Sequence, residues 1–160
     1  MKGFIIYPTY RIINDKSYIA LFGRLDNGES FLTLNEFNPY FFIKKKDAKN
    51  LNKKINIEKT NLRNFQGEQV VKIILDLPSE VPKLRDKLEN KKIETYEADI
   101  KFAQRFLIDH KIQGSINIEG DYEENDQIDR VYKNPELIPT KFYPILKTAS
   151  IDIETNKEHN

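Results

Sequence analysis

Between Tyr40 and Ala98 the chain twice spells the same order, an apolar strand, a polar helix and a second strand. This repetition restricts the fold more than any other feature. Tyr40-Phe41-Phe42-Ile43 reads as a strand, Asp47 to Lys54 as a polar helix with Asp47 at its N-cap, and Ile55 to Leu62 as a strand. Val70 to Leu75, Ser79 to Leu88 with Ser79 as N-cap and Pro82 in the first turn, and Ile93 to Ala98 repeat the pattern. The order βαββαβ over residues 39–98 predicts a ferredoxin-like unit, two helices on one face of a four-stranded antiparallel sheet. RNA-recognition sheets of this shape stack bases on aromatics of both central strands. Here Tyr40, Phe41 and Phe42 supply one set, but Val70-Val71-Lys72-Ile73-Ile74-Leu75 has no aromatic and reads as a strand buried on both faces. The sheet is therefore expected to be a scaffold whose free face is covered by the preceding residues.

Those residues, 1–38, read as a β-meander: Gly3 to Tyr7, Tyr18 to Phe22 and Ser30 to Leu34 are strand-rich, and Asp26-Asn27-Gly28 is a hairpin turn. Beyond the repeat, residues 99–110 read as a helix capped by Asp99, with Ile100, Ala103, Phe106 and Leu107 along one face. Residues 114–135 are polar and acidic and read as a hairpin with a mobile tip. Pro135, Pro139 and Pro144 mark 136–147 as a linker, so that 1–135 forms one domain and 148–160 begins another. The expected class is α+β.

With 26 Lys and Arg against 25 Asp and Glu the net charge is +1, so any attraction for a polyanion must be local. The candidate is Lys44, Lys45 and Lys46 with Lys49, Lys53 and Lys54, six cations within eleven residues and a candidate phosphate contact, or a solvated helix face. Cysteine is absent, which removes disulfides and thiolate chemistry. No secretory leader and no apolar run of about 20 residues is present, so a cytoplasmic protein without membrane contact is expected.

Near the end, Thr148-Ala149-Ser150-Ile151-Asp152-Ile153-Glu154-Thr155 reads as a strand. Side chains alternate along a strand, so Asp152 and Glu154 would leave one face side by side and could share a divalent metal.

Three segments, in order, carry a resemblance: Asn38-Pro39-Tyr40-Phe41-Phe42-Ile43, then Tyr96-Glu97-Ala98-Asp99-Ile100-Lys101-Phe102-Ala103-Gln104-Arg105-Phe106-Leu107-Ile108-Asp109, then Ser150-Ile151-Asp152-Ile153-Glu154-Thr155. Gly3 to Ile6 and Gly114 to Asp121 add to it. Together they resemble the N-terminal region of family B DNA polymerases of the archaeal and bacterial polymerase II kind. The resemblance implies that Asp152 and Glu154 are the first motif of an RNase H-like 3′→5′ proofreading exonuclease. Its chemistry is two-metal phosphodiester hydrolysis with Mg²⁺ or Mn²⁺. The chain alone would be inactive and hold no cation tightly, since further carboxylates belong to later motifs. The resemblance further implies a grip on single-stranded template, with the remainder of the polymerase, in cis or in trans, and a sliding clamp as partners. Several archaeal members hold a pocket that traps uracil, and the matching residues here are Tyr7, Pro39, Tyr40, Val81, Pro82, Ile100, Phe102 and Arg105. The pattern usually places Pro where this chain has Lys101. Tyr7, Tyr40 and Phe102 equally suit core aromatics, and Arg105 a surface helix position. The alternative is a free-standing single-strand-binding module or one subunit of a split polymerase.

Overall fold

A computed structural model describes residues 1–52, 55–146 and 148–153. β1 (Lys2–Ile13), β2 (Lys16–Leu25) and β3 (Ser30–Glu36) form the expected meander, longer than the apolar runs alone indicate. Asn14 and Asp15, both with positive φ (50° and 59°), make the two-residue turn that suits a right-twisted hairpin. At the second turn Gly28 has φ 90°, and the Asn27 side chain accepts the Glu29 N–H at 3.1 Å. Phe31 lies flat over Gly3 and Gly23, where a Cβ would collide with its ring and, at Gly23, with the Phe4 carbonyl.

The smaller sheet contains β4 (Tyr40–Lys44), β5 (Asn56–Arg63), β6 (Gln69–Ile74) and β7 (Thr95–Tyr96), all antiparallel, in the order β5-β6-β4-β7. Among the described residues only its second crossover contains an α-helix, α1 (Glu80–Glu89). The expected helix over 47–54 is a 3₁₀ turn at Asp47–Asn50, with Lys53 and Lys54 outside the described residues. Asp47 lies inside that turn instead of capping it, and Leu51 leaves in extended conformation (φ −85°, ψ 157°). Among the described residues of that segment only Ala48 and Leu51 reach the core, too little apolar surface to hold a longer helix. Ser79 has helical backbone angles and caps nothing with its hydroxyl; Glu80 instead turns back to accept the Leu77 N–H at 2.9 Å. The third helix expected over 99–110 is α2 (Phe102–Asp109), preceded by Lys101. Asp99 does not cap it, because residues 97–101 form a loop entered through Glu97 at φ 60°.

The 114–135 segment is not a single hairpin. β8 (Ser115–Glu119) pairs with β1, whereas β9 (Tyr122–Glu123) pairs with β10 (Arg130–Lys133), which runs parallel to β3 on the far side of the meander. β11 (Glu136–Pro139), in the segment expected as linker, pairs with β8. A seven-stranded sheet results, in the order β11-β8-β1-β2-β3-β10-β9. Arg130 and Asp129 fasten the parallel pair: Arg130 Nε donates to Glu29 at 2.5 Å, and Asp129 accepts from the Ser30 N–H and hydroxyl, each at 2.6 Å.

The two sheets carry separate cores. Ile5, Ile19, Leu21, Phe31, Phe106 and Tyr132 belong to the first, with α2 laid over β1 and β2. Phe41, Ile43, Val71, Ile73, Leu88 and Ile93 belong to the second, under α1. The meander thus packs on α2, and it does not seal the free face of the smaller sheet. That face sets buried Phe42 and Val70 among half-exposed Tyr40, Lys72, Ile74 and Tyr96, and no further helix or strand is laid over it among the described residues. The strand expected over 148–155 is not formed among the described residues, since an extended segment becomes a strand only against a pairing partner.

Candidate functional site

Where the two sheets meet, a cavity of about 450 Å³ opens between the β1 residues Pro8, Thr9 and Tyr10, the start of β4 at Pro39 and Tyr40, the α1 end at Pro78, Val81 and Pro82, and the loop into α2. Prolines suit these walls because their fixed φ and missing N–H leave rigid apolar surface with few unsatisfied donors. Pro39 is buried, and its carbonyl accepts the Leu75 N–H at 2.9 Å. Phe102 is fixed by Tyr10 edge-on at 5.6 Å and by Phe37 stacked at 5.7 Å, and Phe37 in turn meets Phe106 in the core at 5.2 Å.

Arg105 joins α2 to the 97–101 loop and to Tyr40 of β4 at the cavity wall. It is 6% exposed, so it is no surface helix residue. Its Nη2 donates to Glu97 at 2.5 Å, Nη1 lies 3.9 Å from Asp109, and the guanidinium sits 4.9 Å from the Tyr40 ring centre. Nε is buried and has no hydrogen-bond partner among the described residues. The Tyr40 hydroxyl donates to both Asp109 oxygens at 2.8 Å. Burial, and then that hydrogen bond, pushes the Tyr40 phenol well above the usual tyrosine range, so it stays a neutral donor.

Seven of the eight residues singled out by sequence line this one cavity: Pro39, Tyr40, Val81, Pro82, Ile100, Phe102 and Arg105. Tyr7 does not. A β-bulge between Ile5 and Tyr7 flips the alternation, so Tyr7 is 61% exposed and meets Phe22, while Pro8 and Tyr10 turn toward the cavity. Pro8, Tyr10, Pro78, Arg85, Glu97 and Lys101 also line it and were not singled out. A bulge has no sequence signature strong enough to have moved the choice from Tyr7 to Tyr10. Lys101 and Arg85 bring positive charge to the cavity wall, Arg85 bonded to Asp86 at 2.9 Å, whereas Glu97 and Asp99 bring negative charge.

The lysine run behaves differently. Lys44 is held by Glu68 at 2.8 Å and Glu94 at 3.1 Å, and Lys46 by Glu68 at 2.7 Å, while among the described residues the Lys45 ammonium reaches only the neutral Gln69, at 2.8 Å. Hydrogen bonds from Lys44, Lys46 and Asn64 pull the Glu68 carboxyl down to about 2.

Asp152 is exposed in a segment without regular structure, and Glu154 lies outside the described residues. Among the described residues no group of three or more His, Asp or Glu could hold a metal ion, so Asp152 alone does not make a site for Mg²⁺ or Mn²⁺. No helix among them is long and apolar enough to cross a membrane.

The sequence profile described as DNA polymerase family B, exonuclease domain, matches residues 93–160. The DNA polymerase of Archaeoglobus fulgidus is 31% identical over 170 residues, 96% of this chain and 21% of that protein. The DNA polymerase of Thermococcus gorgonarius is 33% identical over 137 residues, 74% of this chain and 17% of its own length. The chain belongs to the family B DNA polymerases. The fold agrees: the family B DNA polymerase from the hyperthermophilic archaeon Pyrobaculum calidifontis superposes with a TM-score of 0.71 at 20% identity, over 91% of this chain and 21% of that one. The family B chain described here therefore spans about a fifth of the length of such relatives.

Proposed function

We propose that this chain is the template-gripping N-terminal part of a DNA-directed DNA polymerase, and that the cavity between its sheets receives a base extruded from single-stranded DNA, with uracil as the base read. The observation that carries this is the convergence of Pro39, Tyr40, Val81, Pro82, Ile100 and Phe102 on one cavity over the buried guanidinium of Arg105. Apolar and aromatic walls sandwich a flat base at little cost in hydrogen bonds, and removal of the base from its stack costs least in a single strand. Arg105 holds the Tyr40 wall and the Glu97 loop in register, and Lys101 and Arg85 face the flanking phosphates.

In the longer enzyme Asp152 and Glu154 contribute carboxylates to a 3′→5′ exonuclease. Divalent cations would supply its Lewis-acid charge. The 160-residue chain alone is inactive in this reading. The order β5-β6-β4-β7 supports a ferredoxin-like description of the smaller sheet, and residues 148–153 are read as entering an RNase H-like domain. The remainder of the polymerase is the first partner, a sliding clamp a further one, and the cytoplasm the compartment.

Fluorescence anisotropy with labelled single-stranded DNA, one uracil against thymine at the same position across a salt series, tests this. Tighter binding to the uracil strand that persists as salt rises is expected. Equal and salt-sensitive binding overturns the base-reading pocket and leaves a backbone groove.

A further inference from the structure

We infer that the open face of the smaller sheet is a track for single-stranded nucleic acid that leaves the cavity at Tyr40 and ends on an aromatic stacking post, Phe65. Strand alternation makes the face. Phe41 and Ile43 turn toward α1, which puts Tyr40, Phe42 and Lys44 on the opposite side, with Lys72 and Tyr96 across from Phe42. Tyr40 and Phe42 meet edge to face at 5.4 Å, and the Lys72 ammonium lies 4.4 Å from the Tyr40 ring centre. Phe42 and Val70 are buried yet belong to neither core.

At the far end the β5–β6 hairpin is locked around Asn64. Its Oδ1 accepts the N–H groups of Gln66 at 3.1 Å and Glu68 at 2.8 Å, and its amide donates to Glu68 at 3.2 Å and to the Tyr96 hydroxyl at 3.1 Å. Arg63 closes the turn on the Gly67 carbonyl at 2.6 Å. Every polar group of the Asn64 side chain is thus engaged, and the rigid turn displays Phe65 with its whole surface in solvent, 104% exposed, beside Leu62 at 55%. A locked turn holding a bare phenyl ring has already lost the backbone entropy that a contact would otherwise cost.

Charge decides the occupant. Lys45 and Lys46 stand beside this hairpin; among the described residues the Lys45 ammonium has only a neutral partner, Gln69, and Lys46 shares Glu68 with Lys44. A ligand that offers flat apolar rings and phosphates in alternation satisfies both the aromatics and the cations, which is single-stranded nucleic acid. An acidic peptide would meet the lysines alone. From Ile74, opposite Tyr40, back to Gln69 and over the turn is about 20 Å at strand spacing, room for several nucleotides.

The track rests on the proposal that this chain binds single-stranded DNA, but it needs no uracil. The intact chain is titrated with labelled, uracil-free oligonucleotides of about 4 and about 16 nucleotides, the range of single-strand site sizes. The longer strand is expected to bind tighter. Phe65→Ala should weaken it about tenfold, as loss of one stacked base does, with the short strand and the melting temperature unchanged. Lys45→Glu with Lys46→Glu should flatten the salt dependence. Substituting 5-iodouracil along the long strand should give a photo-crosslink to Phe65. Wild-type affinity in Phe65→Ala, or crosslinks that avoid Phe65, overturns the track while a uracil preference lost in Tyr40→Ala leaves the pocket standing. No binding of either oligonucleotide by the wild-type chain overturns both.

Discussion

The cavity at the seam and the Asp-x-Glu segment near the end of the chain are opposite cases. The cavity draws its walls from β1, the start of β4, the start of α1 and the loop before α2, pieces scattered over about a hundred residues, and here they are fully assembled. The carboxylates stand two residues apart in sequence, yet Asp152 is exposed in an unpaired segment. Closeness along the chain and assembly in space are therefore independent. A pocket forms when its walls are the ends of elements already packed on cores, whereas a metal site needs several carboxylates that only a surrounding sheet can aim.

The strongest test of that contrast is the double change Asp152→Ala with Glu154→Ala. In the longer polymerase it is expected to bring exonuclease activity to background with polymerisation largely intact. In the present chain it should move stability by no more than about 0.5 kcal/mol by thermal denaturation, as for an exposed surface site. Retained proofreading would remove these carboxylates from the exonuclease, and a large stability loss would show the segment to be part of this fold.

Phe106→Ala attacks the other side. Phe106 is 3% exposed and supports Phe37, which stacks on Phe102 in the cavity wall, so a loss of about 3–5 kcal/mol is expected from chemical denaturation. Hydrogen exchange at residues 148–153 should stay as fast as in the unchanged chain.

Arg105→Ala leaves Glu97 and Asp109 without their cation and removes the plane over Tyr40. About 1–3 kcal/mol is expected, together with loss of any uracil preference in anisotropy. Arg105→Lys, which cannot span both carboxylates with a planar fork, should recover part of the stability and little of the preference. Full recovery would reduce Arg105 to a simple charge.

The smallest effect concerns Glu68. Its carboxyl is lowered from an ordinary 4.5 to about 2, chiefly by the hydrogen bond from Lys44, so the folded state holds the ionised form more strongly than the unfolded chain does. The stability it contributes is complete above about pH 4.5 and fades as pH falls toward 2. Melting curves over that window should fall less steeply for Glu68→Gln than for the unchanged chain. Parallel curves would mean that the lysine cluster is screened by solvent and already free for phosphate.

Local chemistry made much of this legible. The Asp26-Asn27-Gly28 turn, the meander strands and the apolar runs that become β4 and β6 follow from propensity and turn chemistry. Residue chemistry also marked seven of the cavity residues through their likeness to a family. Tyr7 failed because one extra residue in β1 inverts which side chains face inward, a consequence of pairing with β2 and not of the β1 sequence. The parallel pairing of β10 with β3 was equally invisible, since it joins residues about a hundred positions apart through Asp129, Ser30, Glu29 and Arg130.

What the sequence by itself determined is therefore the meander, the four strands of the smaller sheet, the two α-helices in approximate place and the chemical character of the residues at issue. Those follow from interactions within a few residues: turn conformations that Asn, Asp and Gly tolerate, and apolar periods of two and of 3.6. Only the tertiary structure decided that Ser115 to Pro139 is split between the two sides of the meander, that the free face of the smaller sheet stays open, and that Arg105 is buried between Glu97, Asp109 and Tyr40. Each of those depends on which distant surfaces meet, and a guanidinium can be buried only where carboxylates from separate turns of the chain arrive to receive it.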